Sequence, residues 1–189
     1  MKKLLITVIL TGLLWPGAVF AEKNKVFPGN TGMSFNAGLR YSMNDLGADL
    51  NINLCFKDRY EVGVVFSDRD FGYQTGVKLL KTWKFAIFTF GVQGGINYGS
   101  AVLDRMVTWS ENNERFIGAI GYRHSLSSYT GINAGIELPF GLGIRMNIGS
   151  DYILVHSDKA NLTGSNPPEI ETRDEKKFVS FGLEAYLRF

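Results

Sequence analysis

The residues whose types could do covalent chemistry are His124, Ser125, Ser127 and Ser128, with Glu137 downstream. They supply a base, hydroxyl nucleophiles and a carboxylate, the components of hydrolytic acyl transfer. Their spacing works against that chemistry. On an extended chain neighbouring side chains point to opposite faces, so Ser127, three residues after His124, stands on the far side of the strand. His124 is therefore expected as a strand-end residue, and no catalytic set is assigned. His156 has no partner fixed by spacing. Cys55 is the single cysteine, which excludes an internal disulfide and any multi-cysteine metal site. It is expected as a small inward-facing filler. Gly91-Val92-Gln93-Gly94-Gly95 lacks the Lys-Ser/Thr of a phosphate loop, and Asn161-Leu162-Thr163 fits a glycosylation acceptor but reads as loop sequence. No metal ligand set, nucleotide fingerprint or cofactor site emerges.

A larger group of chemically active residues appears once the strands are placed. The chain has 189 residues, 25 of them aromatic (14 Phe, 8 Tyr, 3 Trp), with 22 Gly and only 5 Pro. That composition suits a single strand-rich domain. Lys2 and Lys3, an apolar run from Leu4 to Trp15, the break at Pro16-Gly17 and the small residues before Glu22 together predict a cleaved secretory leader over residues 1–21. Its removal leaves 18 basic and 18 acidic side chains, so neither a nucleic-acid nor a polybasic membrane-surface partner is expected. No other segment is long and apolar enough for a spanning helix. A membrane-embedded form of this chain must cross with strands.

Period-two alternation recurs over 33–43, 48–56, 60–66, 73–79, 86–98, 116–122, 132–138, 144–148 and 179–189. Turns are expected at Asn44–Gly47, Asp68–Asp70, Lys81–Lys84 and Pro139–Leu142. Aromatics recur near strand ends, at Tyr41, Phe56, Tyr60, Tyr73, Phe85, Tyr98, Tyr122, Phe140, Tyr152 and Phe178, where a bilayer places interfacial girdles. The polar faces collect Arg40, Asp49, Glu61, Lys78, Arg123, Glu137, Arg145, Glu184 and Arg188. In a closed barrel these would point inward and would have to be paired. Arg145 and Glu184, on strands expected to be adjacent, are the best candidate pair. A soluble sandwich also alternates, but its apolar faces would share one core.

The last strand places Phe181, Leu183, Ala185, Leu187 and Phe189 on one face, ending in the aromatic. This resembles the C-terminal assembly signal of bacterial outer-membrane β-barrels, and the whole of 33–189 resembles the small OmpA/OmpX type. The resemblance implies an all-β, closed antiparallel up-and-down transmembrane barrel in a Gram-negative outer membrane. It further implies a short periplasmic segment at 22–32, a long extracellular loop at about 156–177, and contact with outer-membrane lipid and the barrel-assembly machinery. Nine segments are clear, and counting 101–109 as a strand makes the even number such barrels have; eight strands is the alternative. A lumen this narrow is filled by side chains, so a monomeric, non-enzymatic membrane-structural or surface-interaction role through the loops is expected. A narrow ion or small-solute channel is the alternative, and a lipid A-modifying enzyme the third reading. The His-x-Ser motif of the lipid A deacylase barrels fails here because Leu126 stands where their Ser would be. Glu22 to Thr31 does not resemble the amphipathic helix of the lipid A palmitoyltransferase barrels.

Overall fold

The computed structural model describes residues 31–56, 60–111, 114–162 and 176–189. The leader at 1–21, nearly all of the 22–32 segment and most of the connection between 157 and 176 lie outside them. Among the described residues the strands are β1 (Thr31–Ser42), β2 (Asp45–Phe56), β3 (Tyr60–Arg69), β4 (Gly72–Phe85), β5 (Phe88–Glu111), β6 (Glu114–Glu137), β7 (Leu142–His156), β8 (Lys159–Asn161) and β9 (Lys177–Arg188). Each of β1 to β6 pairs antiparallel with the next, β7 pairs with β9, and β9 pairs with β1. Eight strands thus close into an up-and-down barrel. The three residues of β8 continue alongside β6 where β7 ends.

Closure pairs the backbone all the way round the wall, which is the condition for β structure in hydrocarbon. Side-chain placement inverts that of a soluble protein. Phe66 on the outer face is 50% exposed, whereas Arg145 on the inner face is 2% exposed. Leu50, Ile52, Leu54, Val64, Val77, Leu79, Ile144 and Leu183 continue the apolar outer belt. The chain is a closed antiparallel barrel with an apolar outer face and a polar interior.

Its two ends differ. One, here the turn end, carries the short connections Ala86–Ile87 and Leu138–Gly141 and the last residue, Phe189. The loop end carries the tight Met43–Asn44 and Asp70–Phe71 turns and the long connection after His156. Met43 and Asn44 have φ of 51° and 55°, both left-handed, which is the geometry of a two-residue hairpin that follows the twist of its strands. This replaces the broader turn expected at Asn44–Gly47. At the turn end the bend falls at Ala86, φ 55°, and not at Lys81–Lys84, which continue β4.

The strand number is eight, not the favoured ten. The segment 101–109 is the outer part of β5, continuous with the segment expected at 86–98, and 116–122 is the outer part of β6, continuous with that expected at 132–138, so two breaks between expected segments do not exist. Both strands run for 24 residues, well beyond the roughly 9–11 that a tilted spanning strand needs. The first false break arises where the pairing jumps from Gly99↔Ser125 to Ala101↔Tyr122, a bulge with one extra residue on β6. The second arises because Ser125, Ser127 and Ser128 are small and polar on both faces, which erases the alternation without ending the strand.

Further bulges between Val102 and Val107 bend the outer hairpin. Asn44 Nδ2 donates to the Leu103 carbonyl at 2.8 Å and Gln74 Nε2 to the Ser100 carbonyl at 2.7 Å. Arg105 pairs with Asp70 at 2.6 Å. These contacts tie the hairpin to the β1–β2 and β3–β4 turns across the mouth. Below it Met43, Ala101, Leu103, Tyr122, Ile153 and Phe178 form one buried apolar cluster that caps the lumen. Tyr122 and Phe178 therefore leave the interfacial girdle assigned to them. The other eight girdle positions face outward and are exposed.

Candidate functional site

The lumen is built by the inward positions of all eight wall strands, and its charges fall into two clusters. Nearer the loop end Arg40 binds Asp151 and lies 3.9 Å from Asp49. Arg69 approaches Asp49 at 3.4 Å and donates to the Arg40 carbonyl at 2.9 Å. Ser42 donates to Asp151 at 2.6 Å and Ser67 to Asp49 at 2.7 Å, so both carboxylates have a hydroxyl donor as well as a cation. The Arg40 guanidinium also stands 4.7 Å from the centre of the Tyr129 ring.

The second cluster runs to the turn end. Arg145 and Glu184 are direct register partners on β7 and β9, with Nε to Oε2 at 2.9 Å. Lys78 reaches the other Glu184 oxygen at 2.7 Å from across the barrel. Arg145 also lies 3.6 Å from Glu61, which is held by Arg188 at 2.5 Å and accepts from Ser34 at 3.0 Å. Arg188 joins Glu137 at 3.2 Å, Tyr186 donates to Glu137 at 3.0 Å, and Lys84 meets Glu137 at 2.6 Å from the rim. The Tyr186 ring sits 4.8 Å from the Arg145 guanidinium.

Among the described residues, five inward cations, the buried Arg69, Lys78 and Arg145 and the part-buried Arg40 and Arg188, meet five carboxylates, Asp49, Asp151, Glu61, Glu137 and Glu184, with the exposed Lys84 a further cation at the rim. Balance is what a low-dielectric interior requires, because an unpaired charge there costs several kcal/mol. Glycine makes the space. Lys78 is flanked in register by Gly63 and Gly95, and Arg40 by Gly47 and Gly182. A Cβ on Gly63 would collide with the Asn53 side-chain oxygen and lie 2.5 Å from the Ile52 carbonyl. Gly63→Val is therefore expected to destabilise the folded barrel by about 1–3 kcal/mol, the usual penalty of overpacking, read from the urea midpoint in detergent. An unchanged midpoint would mean that the lumen is loosely filled.

Of the nine inward charges expected from sequence, eight lie in these clusters and Arg123 does not. Arg123 is exposed. The bulge on β6 shifts the phase by one residue, which turns Tyr122 inward and Arg123 outward. Sequence reasoning missed Arg69 and Asp151, which it left in connections. Extending the same alternation, from Glu61 to Arg69 on β3 and from Arg145 to Asp151 on β7, places both inward. Phe181, Leu183 and Phe189 are exposed on the outer face, with Ala185 and Leu187 part-exposed. Cys55 is buried in the wall.

The hydrolytic set does not assemble. The Tyr98 hydroxyl lies 3.1 Å from His124 Nδ1 on the outside of the barrel, while Ser125 Oγ points inward and donates to the Gly99 carbonyl at 2.7 Å. Glu137 lies at the other end of β6, roughly 40 Å along the strand. His156 stacks on Tyr122 at 3.9 Å between ring centres, beneath the outer hairpin.

No protein-family model matches the chain, and no curated protein matches it in sequence. Solved structures do. The chain is similar to a major outer membrane protein from Thermus thermophilus, with TM-score 0.53 and 15% identity over 85% of this chain and 100% of that one. It is also similar to the N-terminal beta-barrel domain of Pseudomonas aeruginosa OprF, with TM-score 0.50 and 9% identity over 85% and 98% of the two chains. Neisserial surface protein A aligns with TM-score 0.45 and 9% identity over 85% and 96%. At these identities the first two likenesses establish a shared fold, the small closed barrel of bacterial outer membranes.

Proposed function

We propose that this chain is a monomeric, non-enzymatic outer-membrane protein whose lumen is a fixed plug and whose function is carried at the loop end. In this reading residues 1–21 direct export, and β9 with Phe181, Leu183, Ala185, Leu187 and Phe189 is the segment offered to the barrel-assembly machinery. The turn end with Leu138–Gly141 then faces the periplasm and the outer β5–β6 hairpin faces the exterior, since such barrels have short periplasmic turns and longer outer loops. The carrying observation is the five-to-five pairing of lumen charges beneath an apolar cap. Fixed pairs supply stiffness and specificity, and they oppose ion passage because a permeating ion would have to break them. The hairpin, held over the mouth by Asn44, Gln74 and Arg105, is the rigid element available for a membrane-structural or surface-interaction role.

The expected results are recovery in the outer-membrane fraction, gel migration that changes on boiling, and no resolved conductance steps in planar bilayers. A soluble periplasmic protein without the migration shift would overturn the membrane placement. Steps that change when Arg145 is neutralised would replace the plug by the narrow-channel reading. Altered lipid A acylation on deletion of the gene would favour the enzyme.

A further inference from the structure

The outer belt is apolar apart from a few positions, and one of those exceptions is built. On the turn-end half of the belt, among the described residues, Lys81 is the one charged side chain facing outward. It lies on β4 in register with Tyr60 on β3 and Val92 on β5. Leu79, Val62, Val92 and Phe90 around it are exposed and apolar. Lys81 Nζ stands 5.3 Å from the centre of the Tyr60 ring and 5.0 Å from that of Trp83. Trp83 is two residues nearer the turn end, so the ammonium has run along the wall toward that end and is held between two rings of neighbouring strands. Both rings are themselves about half exposed on the outer face.

A cation on the lipid face is costly unless it reaches the interface, and long side chains do so by extending toward the headgroups. Two aromatic rings restrict where this ammonium can sit and cover part of it with apolar surface. Their faces attract the charge without neutralising it. The partner that completes the site must be anionic, must lie at the girdle level, and must come attached to acyl chains that cover Leu79, Val62 and Phe90. We infer that Lys81, Tyr60 and Trp83 form a binding site for the phosphodiester of a glycerophospholipid in the leaflet at the turn end. This rests on the membrane placement proposed above.

The test uses native mass spectrometry of the refolded barrel in detergent, titrated with short-chain phosphatidylglycerol and with the matched diacylglycerol, which lacks the phosphate. The parent protein is expected to retain phosphatidylglycerol in preference to diacylglycerol by roughly fivefold, the effect of one basic residue at a lipid surface. K81Q loses that preference and K81R keeps it. W83L narrows it, and inorganic phosphate does not compete, because the acyl chains contribute to binding. Equal retention of both lipids by the parent, or an undiminished preference in K81Q, overturns the site. Competition by inorganic phosphate overturns a lipid as its ligand. Heat-modifiable migration of each variant confirms the barrel before titration. Its absence in the parent would overturn the membrane reading itself, a failure separable from loss of lipid preference in an intact barrel.

Discussion

Replacing Arg145 with Gln is expected to lower the stability of the folded barrel by about 3–5 kcal/mol, the cost of removing one partner from a buried ion pair. Arg145 is 2% exposed, makes the 2.9 Å bond to Glu184 and also faces Glu61 at 3.6 Å. Without it, four inward cations of the two clusters, apart from Lys84 at the rim, remain against five carboxylates. The excess negative charge lies in the lumen, where Glu61 and Glu184 are 3% and 6% exposed. Equilibrium unfolding in urea, followed by the loss of the fast-migrating form, measures the change. The second substitution decides the cause. Adding Glu61→Gln removes the excess carboxylate and leaves each remaining charge paired, Lys78 with Glu184 and Arg188 with Glu137. The double variant should therefore be more stable than Arg145→Gln alone, a coupling that independent sites would not show. Simple addition of the two losses would mean that packing of the Arg145 side chain, and not charge balance, stabilises the lumen.

Deleting Phe189 is expected to have the next largest effect, because it frays the end of the seam that closes the barrel. Phe189 N–H donates to the Met33 carbonyl and Met33 N–H to the Phe189 carbonyl, both at 3.0 Å. The Phe189 ring packs 5.6 Å from that of Phe35. Removing the residue leaves both Met33 backbone groups without partners at the end of the β1–β9 ladder. Met33 is part-buried, and an unsatisfied group costs up to about 1–3 kcal/mol where it is fully buried. In refolding into lipid vesicles, the fraction of truncated chain that reaches the heat-modifiable form should fall by about tenfold or more, given that 1.4 kcal/mol is a factor of ten. Phe189→Ala keeps both backbone bonds and should refold much closer to the parent. In cells the comparison separates two roles. If Phe189→Ala inserts as poorly as the deletion there but refolds normally in vesicles, the ring is read by the assembly machinery. Normal refolding of the deletion would remove the seam from the account.

The repeated alternation made the strand-rich fold legible, and the terminal strand ending in Phe189 with the leader pointed to a closed barrel, since alternation alone is shared with a soluble sandwich. The same pattern placed Lys78, Arg145, Glu184 and Arg188 inward, and it marked Arg145 with Glu184 because consecutive wall strands must be neighbours. Gly63 and Gly95 fall on the inward face by the same alternation, but nothing in the sequence marks them as the flanks of one particular cation. Strand number was a different matter. A bulge is one residue of irregularity on a single strand, and in the sequence it is indistinguishable from the end of one strand and the start of another. Around Arg123 and His124 that ambiguity produced both the miscounted strands and the misplaced arginine.

Local periodicity, set by covalent geometry, determined that this chain makes strands with one apolar and one polar face, and closure of the wall decided that the polar face is the enclosed one. Tertiary structure alone decided which charges meet. Lys78 and Glu184 stand 106 residues apart in the chain and on opposite sides of the lumen, and Arg188 and Glu61 are 127 apart. Their encounters depend on how eight strands tilt and stagger as they close, a collective quantity that no short stretch of sequence encodes. The cap has the same origin. Met43, Leu103, Tyr122 and Phe178 are scattered apolar residues until closure brings them to one mouth, where removing them from water seals the lumen beneath.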